Sequence, residues 1–259
     1  MIRFIFILSA IITLVHSARL RIIDGTLANV HEFPYQVSMQ WNFNNGSRPR
    51  HFCSGSIINP NWILTAAHCS PELSSDGWIE VVAGVNNIAN EESSVQRRNV
   101  TRFVQHPRYN PNTIANDIAV VLLSKSLKLN HNIKSLSLAR NDTAIEQKVA
   151  KFAGWGSISK TSVDIFPDEL RKVDLVLRSQ KDCQPMRNPG VSQICAGGYR
   201  NASGCIADSG GPLTVVKSNG PVQIGVLSYG ERPCQGKMPI VFSSVLYFSD
   251  WIRTAIEKQ

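Results

Sequence analysis

Asp208-Ser209-Gly210-Gly211-Pro212 sets a hydroxyl between an acid and two glycines, a pattern that presents a side chain on a tightly folded turn. A serine hydroxyl is a weak nucleophile and needs a base to take its proton. Thr65-Ala66-Ala67-His68-Cys69 offers an imidazole, which titrates near neutrality and suits proton transfer. Asn116-Asp117-Ile118-Ala119 offers a carboxylate that leads into the apolar run Val120-Val121-Leu122. Each motif alone has a plain structural reading: a glycine turn, a histidine beside a cystine, a polar residue at a strand edge. Together they supply nucleophile, base and orienting acid in the chain order His, Asp, Ser, one of the known orders of the acyl-transfer triad.

The elements that must hold these groups read as strands. Past residue 22, short apolar runs are broken by Gly, Pro, Asn and Ser. Tyr35–Met39, Ser56–Ile58, Ile79–Val82, Ile118–Leu123, Lys148–Ala153, Val173–Leu177, Pro212–Val216 and Val222–Leu227 have strand length, and several alternate. Helical spacing occurs at the C-terminus, where Leu246, Phe248, Trp251, Ile252, Ala255 and Ile256 share one face. No repeat of solenoid period and no low-complexity segment interrupts this. The expectation is an all-β protein, built of barrels or a sandwich, with a C-terminal α-helix.

The first residues differ. Met1-Ile2-Arg3, an apolar run from Phe4 to Val15 and the small residues Ser17 and Ala18 make a secretory signal peptide over residues 1–17. The run is too short for a comfortable transmembrane helix, and no membrane partner is expected. Six cysteines in an exported chain imply three bridges, although six allow fifteen pairings. No C-x-x-C or H-x-x-x-H spacing supports zinc, so neither metal nor cofactor is expected. Asn45, Asn99, Asn141 and Asn201 begin glycosylation sequons. The formal charge is +8; without Arg3, Arg19 and Arg21 the chain from Ile22 carries 24 Lys and Arg against 19 Asp and Glu, a net +5. That excess is spread out, and no basic stripe with interleaved aromatics points to nucleic acid.

Over essentially its whole length beyond Arg21 the chain resembles the chymotrypsin-like serine peptidases. Beside the three motifs above, the resemblance rests on Arg21-Ile22-Ile23-Asp24-Gly25, Phe33-Pro34-Tyr35-Gln36-Val37-Ser38, Gly154-Trp155-Gly156, Ser228-Tyr229-Gly230 and Trp251-Ile252. It implies two six-stranded antiparallel β-barrels with a cleft between them, and bridges Cys53–Cys69, Cys183–Cys195 and Cys205–Cys234. The first bridge, closing a short loop, would stabilise by about 3 kcal/mol. It further implies Ser209 as nucleophile, His68 as base, Asp117 as its orienter with Ser228 bonded to that carboxylate, and the N–H groups of Ala207 and Ser209 as an oxyanion hole. Residues 18–21 become an activation propeptide: cleavage after Arg21 by a trypsin-like protease frees Ile22, whose ammonium pairs with Asp208. Residues 22–259 form the peptidase domain. The implied product is a secreted, extracellular monomer acting on peptide or protein substrates and subject to proteinaceous inhibitors.

Two departures from the family pattern bear on activity. Ala207 stands where the family has Gly, at an oxyanion donor. Ser203 aligns with the base of the specificity pocket, where trypsins carry Asp; Gly230 leaves one wall open, and Ile240 replaces a usual Gly. The implied preference is apolar, with Leu, Met or small aliphatic residues ahead of Phe and Tyr. The segment between Gln40 and His51, carrying Trp41, Arg48 and Arg50, is long; it either shapes the leaving-group side of the cleft, by restricting access or favouring acidic residues, or is a plain surface loop. A different class of function, a weakened homologue acting by binding, rests on Ala207 and Ile240.

Overall fold

In the computed structural model, which describes residues 25–70, 77–90, 92–140, 143, 145–183, 190–199 and 203–258, the apolar runs become strands curled into two rings. The signal peptide, Arg21, Ile22, Asn141 and Asn201 lie outside the described residues. The strands are β1 (Thr26–Leu27), β2 (Gln36–Phe43), β3 (Arg50–Asn59), β4 (Trp62–Thr65), β5 (Gly77–Ala83), β6 (Gln96–Gln105), β7 (Ala119–Leu123) and β8 (Ser137–Leu138). They continue as β9 (Val149–Gly154), β10 (Arg171–Arg178), β11 (Gln193–Ala196), β12 (Pro212–Lys217), β13 (Gly220–Tyr229) and β14 (Ile240–Ser244). Among the described residues are also the α-helices α1 (Gln180–Cys183) and α2 (Ser249–Glu257).

The first ring runs β2-β3-β4-β7-β6-β5 and closes by pairing β5 with β2. The second runs β9-β10-β11-β14-β13-β12 and closes by pairing β12 with β9. Both are six-stranded and antiparallel throughout. Each joins its first strand to its second, second to third, third to sixth, then sixth to fifth to fourth. The two-residue strands β1 and β8 attach outside the second ring, on β10 and β13. Alternating inward side chains fill each barrel: Val37, Met39, Ile63 and Val121 in the first, Phe152, Leu175, Leu213 and Phe242 in the second, all buried.

The rings meet across a partly polar seam. Tyr35 and Thr214 share a hydrogen bond at 3.3 Å, Gln36 Nε2 donates to the Ala153 carbonyl at 3.2 Å, and Ser56 Oγ donates to Gln223 Oε1 at 2.7 Å. Such bonds fix register where apolar contact alone would allow sliding. Helix α2 follows the second barrel in sequence but reaches the first: Phe248 and Trp251 pack on His106 with ring centroids 5.3 and 5.0 Å away. The apolar face read from Leu246 to Ile256 is thus realised, although Leu246 and Phe248 precede the helix itself. The three bridges join Cys53–Cys69, Cys183–Cys195 and Cys205–Cys234, with Cα separations of 6.1, 6.0 and 5.7 Å.

Candidate active site

Strand pairing brings His68 to Asp117. Strands β4 and β7 are antiparallel neighbours with Thr65 opposite Ala119, so the residues just past the end of β4 face those just before β7. Ala67–Cys69 turns as a short 3-10 helix, tethered by the Cys53–Cys69 bridge. Asp117, fully buried, accepts the His68 backbone N–H at 2.9 Å on one oxygen. Its other oxygen accepts His68 Nδ1–H at 2.7 Å and the Ser228 hydroxyl at 2.5 Å. Ser243 Oγ donates to the Asp117 carbonyl at 2.6 Å, so main chain and carboxylate are both held. The Nδ1–H bond to this carboxylate fixes the imidazole proton on Nδ1, leaving Nε2 with a free lone pair.

Ser209 comes from the other barrel, on the loop between β11 and β12. Asp208 and Gly211 N–H groups bond to the Cys205 and Asp208 carbonyls, winding the backbone tightly around it. The Ser54 N–H binds the Ser209 carbonyl at 2.7 Å, and the Gly210 N–H binds the Leu227 carbonyl. Gly210 has φ +80°, and a Cβ there would lie 2.1 Å from Thr65 Oγ1 and 2.3 Å from the Ser54 carbonyl. Only glycine lets the serine loop close against the strands that carry His68. Ser209 and His68 line the same cleft, of about 610 Å³, without a hydrogen bond between them in this structure. Such contacts commonly tighten only when substrate arrives.

Among the described residues, neither the Ala207 nor the Ser209 N–H has an internal acceptor, and both residues line the cleft. Unpaired backbone donors are rare in folded proteins, and two in one cleft are suited to meet an anionic oxygen. Ala207 takes φ +70°, the left-handed conformation in which a glycine is unstrained, at a cost of about 1 kcal/mol. The sequence left open whether its methyl twists the peptide away; here the residue holds that conformation. What holds it is His51, whose Nε2–H donates to the Ala207 carbonyl at 3.0 Å while Nδ1 accepts from Ser38 Oγ at 2.8 Å. The His51 ring also meets Trp155 edge-on at 5.6 Å. Loss of hydration pulls this imidazole down to about 4, only partly countered by the Ala207 carbonyl. It therefore stays neutral and keeps one donor and one acceptor.

Asp208, fully buried, points away from the cleft. It accepts the Gly156 N–H at 2.7 Å and the Cys205 N–H at 2.8 Å. A Cβ at Gly154 would sit 2.0 Å from this carboxylate, and one at Gly156 2.3 Å. The glycines flanking Trp155 exist to admit it. Burial nonetheless pushes its pKa up to about 7, against the opposing pull of the two N–H groups. This is a carboxylate that lacks a cation among the described residues.

On the far side of Ser209 the cleft is walled by Leu227, Tyr229, Gly230 and Ile240. An added Cβ at Gly230 would lie 2.8 Å from Ile240 Cγ2, so the isoleucine methyl already presses on that wall. Ser203, expected at the pocket base, does not line the cavity; it is buried, and its hydroxyl donates to the Gly204 carbonyl at 2.7 Å. Ser228 is likewise absent from the cavity surface, committed to Asp117. The sequence missed His51, whose role needs a contact spanning 156 positions, and Phe166 and Glu231, which reach the cleft only through loop geometry. Asn45 and Asn99 are both exposed.

Two closed barrels of one topology, with a cleft between them into which each sends part of a Ser, His and Asp set, define the chymotrypsin-like class. Comparison with known proteins gives the same answer. The family profile described as Trypsin matches residues 22–252. Similar proteins include Granzyme-like protein 1 of Rattus norvegicus, 34% identical over 92% of each chain. Brachyurin of Leptuca pugilator is 34% identical over 90% of this chain and 97% of its own. Trypsin beta of Drosophila erecta is 37% identical over 90% and 87%. A solved structure described as "Structure of GrC" superposes with a TM-score of 0.78 at 29% identity, covering 91% of this chain and all of the other. The chain belongs to the trypsin family, and its relatives are serine endopeptidases.

Proposed function

We propose that this chain is a secreted zymogen of a serine endopeptidase that cleaves after apolar residues. Ser209 Oγ attacks the scissile carbonyl carbon as His68 Nε2 takes its proton. The carbonyl oxygen, now anionic, lies against the N–H groups of Ala207 and Ser209. His68 then gives the proton to the leaving amine, and water repeats the sequence to release the acyl group. Asp117 keeps the imidazole in the required tautomer and stabilises its charged form. One observation carries the reading: His68, bonded to the buried Asp117, opens onto the same cleft as Ser209 and the unpaired amide donors of Ala207 and Ser209.

Three disulfides and the signal peptide over residues 1–17 support export. Asp208 supports activation after Arg21: a buried carboxylate with only neutral donors accommodates an ammonium group, here that of Ile22, and the pair fixes the oxyanion loop. Ile240 against Gly230 supports a shortened specificity pocket that takes Leu, Met or small aliphatic side chains before Phe or Tyr. Glycans on exposed Asn45 and Asn99 fit an exported protein. The strained Ala207 favours a second reading, a homologue with reduced turnover that acts by binding.

Cleavage of the purified precursor at Arg21, followed by titration with a fluorophosphonate and a peptide-library profile, tests this. The expected result is stoichiometric labelling at Ser209, multiple turnovers and cleavage after aliphatic residues. Labelling without turnover selects the second reading, and cleavage dominated by Lys or Arg defeats the pocket assignment.

A further inference from the structure

The cleft does not end at Ser209. Beyond it, on the side away from Ile240, the wall is the β2–β3 hairpin, which contributes Trp41, Phe43, Arg50 and Phe52. The segment between Gln40 and His51, whose meaning the sequence left open, is thus the tip of a hairpin: β2 runs on to Phe43, β3 begins at Arg50, and residues 44–49 connect them. Phe166, from the loop joining β9 to β10, faces this hairpin across the cavity and is 46% exposed. A second cavity of about 350 Å³ adjoins the first and shares Phe43, Arg50 and Phe166 with it. Aromatic rings across a continuous trough form an apolar seat that none of the described residues fills.

The charges lining the trough are mixed, but the acids are engaged: Glu231 Oε1 accepts the N–H groups of Lys237 and Met238. Arg48 is tied to Asp168 at 3.7 Å and reaches the Ile88 carbonyl at 3.4 Å, so the acid there is already engaged. Arg50 is exposed and, among the described residues, has neither a hydrogen-bond nor an ion-pair partner, although it borders both cavities. His51 beside it is held neutral. A guanidinium at the edge of an aromatic seat recognises a carboxylate next to a bulky apolar side chain.

We propose that the β2–β3 hairpin and Phe166 form a leaving-group subsite that selects peptides carrying, within the first three residues after the scissile bond, a bulky apolar side chain and an adjacent acidic one. Phe43 and Phe166 hold the former and Arg50 the latter. This rests on the catalytic reading above, which assigns residues before the scissile bond to the Ile240 side. The preference adds a second requirement to cleavage, so a protein is cut where an aliphatic residue precedes an apolar and acidic pair.

The test uses the Arg21-cleaved enzyme and quenched fluorescent peptides identical before the scissile bond, with Leu-Glu, Leu-Lys or Ala-Glu in the leaving segment. A matched nitroanilide without a leaving peptide reports catalysis separately: failure to hydrolyse it defeats the catalytic reading, not the subsite. With that hydrolysis established, kcat/KM should favour Leu-Glu over Leu-Lys by about tenfold at low ionic strength, shrinking in 0.5 M NaCl as exposed charges are screened. In Arg50→Glu the ratio should invert, and in Arg50→Gln fall to about unity; ratios within one variant cancel any general loss of activity. Phe166→Ala should erase the preference for Leu-Glu over Ala-Glu. Equal rates for Leu-Glu and Leu-Lys, or a ratio unmoved by Arg50→Glu, would overturn the proposal.

Discussion

The two barrels share one strand order yet hold their parts of the site by different means. In the first, His68 and Asp117 sit just beyond two hydrogen-bonded strands, fixed by side-chain bonds to Asp117 and by the adjacent bridge. In the second, Ser209 and the amide donors lie on a loop with two left-handed residues, Ala207 and Gly210, kept in place by the buried Asp208, a remote histidine and the Cys205–Cys234 bridge. On the proposed reading the base is built into the scaffold, whereas the oxyanion site depends on what Asp208 meets. A fold that keeps its proton-transfer pair always ready can place control in the loop alone.

The comparison breaks most sharply at Asp117. Asp117→Asn in the processed enzyme should lower kcat by about 10⁴ near neutral pH, because an amide favours the wrong imidazole tautomer. A loss under tenfold would mean His68 is not oriented as the geometry requires. The conditional half is next. Asp208→Asn should lower kcat of the processed enzyme about 10²- to 10³-fold, the scale of a lost oxyanion donor, while His68–Asp117 geometry persists.

Asp208 also gives a pH signature before cleavage. Its native pKa of about 7 lies above the ordinary 3.8, so the folded precursor keeps a proton that the unfolded chain releases, and stability falls as pH rises from about 4 to 7. In the precursor, Asp208→Asn should therefore be more stabilising at pH 8 than at pH 4, with a difference on the order of 3 kcal/mol in chemical denaturation. Equal effects at both pH values would show that the carboxylate already has a cationic partner before cleavage.

His51 gives the opposite sign. Its native pKa of about 4 lies below the ordinary 6.5, so its stability contribution is complete above 6.5 and is lost as pH falls towards 4. His51→Gln should flatten that acid-side decline and lower kcat roughly tenfold with KM little changed, since it positions Ala207 without touching substrate. Smallest is Ala207→Gly, which relieves the left-handed strain and should raise stability by about 1 kcal/mol with less than threefold change in kcat. A hundredfold rise would mean the alanine had disabled the donor.

The sequence exposed those parts of the site that are local. Ser209, His68 and Asp117 each sit in a short motif, and their order joined them before any contact was known. Runs such as Pro212–Val216 became strands, here β12 with its far end one residue later, because short apolar runs bounded by turn residues mark strands. Strand β6 gave no such signal: Gln96-Arg97-Arg98-Asn99 and Arg102 leave only Val100, Phe103 and Val104 to pack, and none is fully buried. Its place is set by neighbours on both sides. The equivalence of the two barrels was also hidden, since it lies in strand order and not in residue similarity. Ser203 shows a further limit, because its position in the chain did not reveal that it is buried with its hydroxyl turned to the Gly204 carbonyl.

Closure of both rings has a consequence for the life of such a molecule among its own copies. A peptidase of this kind takes its target as an extended strand with free amide and carbonyl groups, and a sheet without edges offers none. Among the described residues the exceptions are short, as in β1 and β8, or lie on connecting turns such as the one displaying Val163 and Ile165. The paired walls of the barrels thus offer one copy little to grip on another, and a nick is expected on a connection instead of a wall.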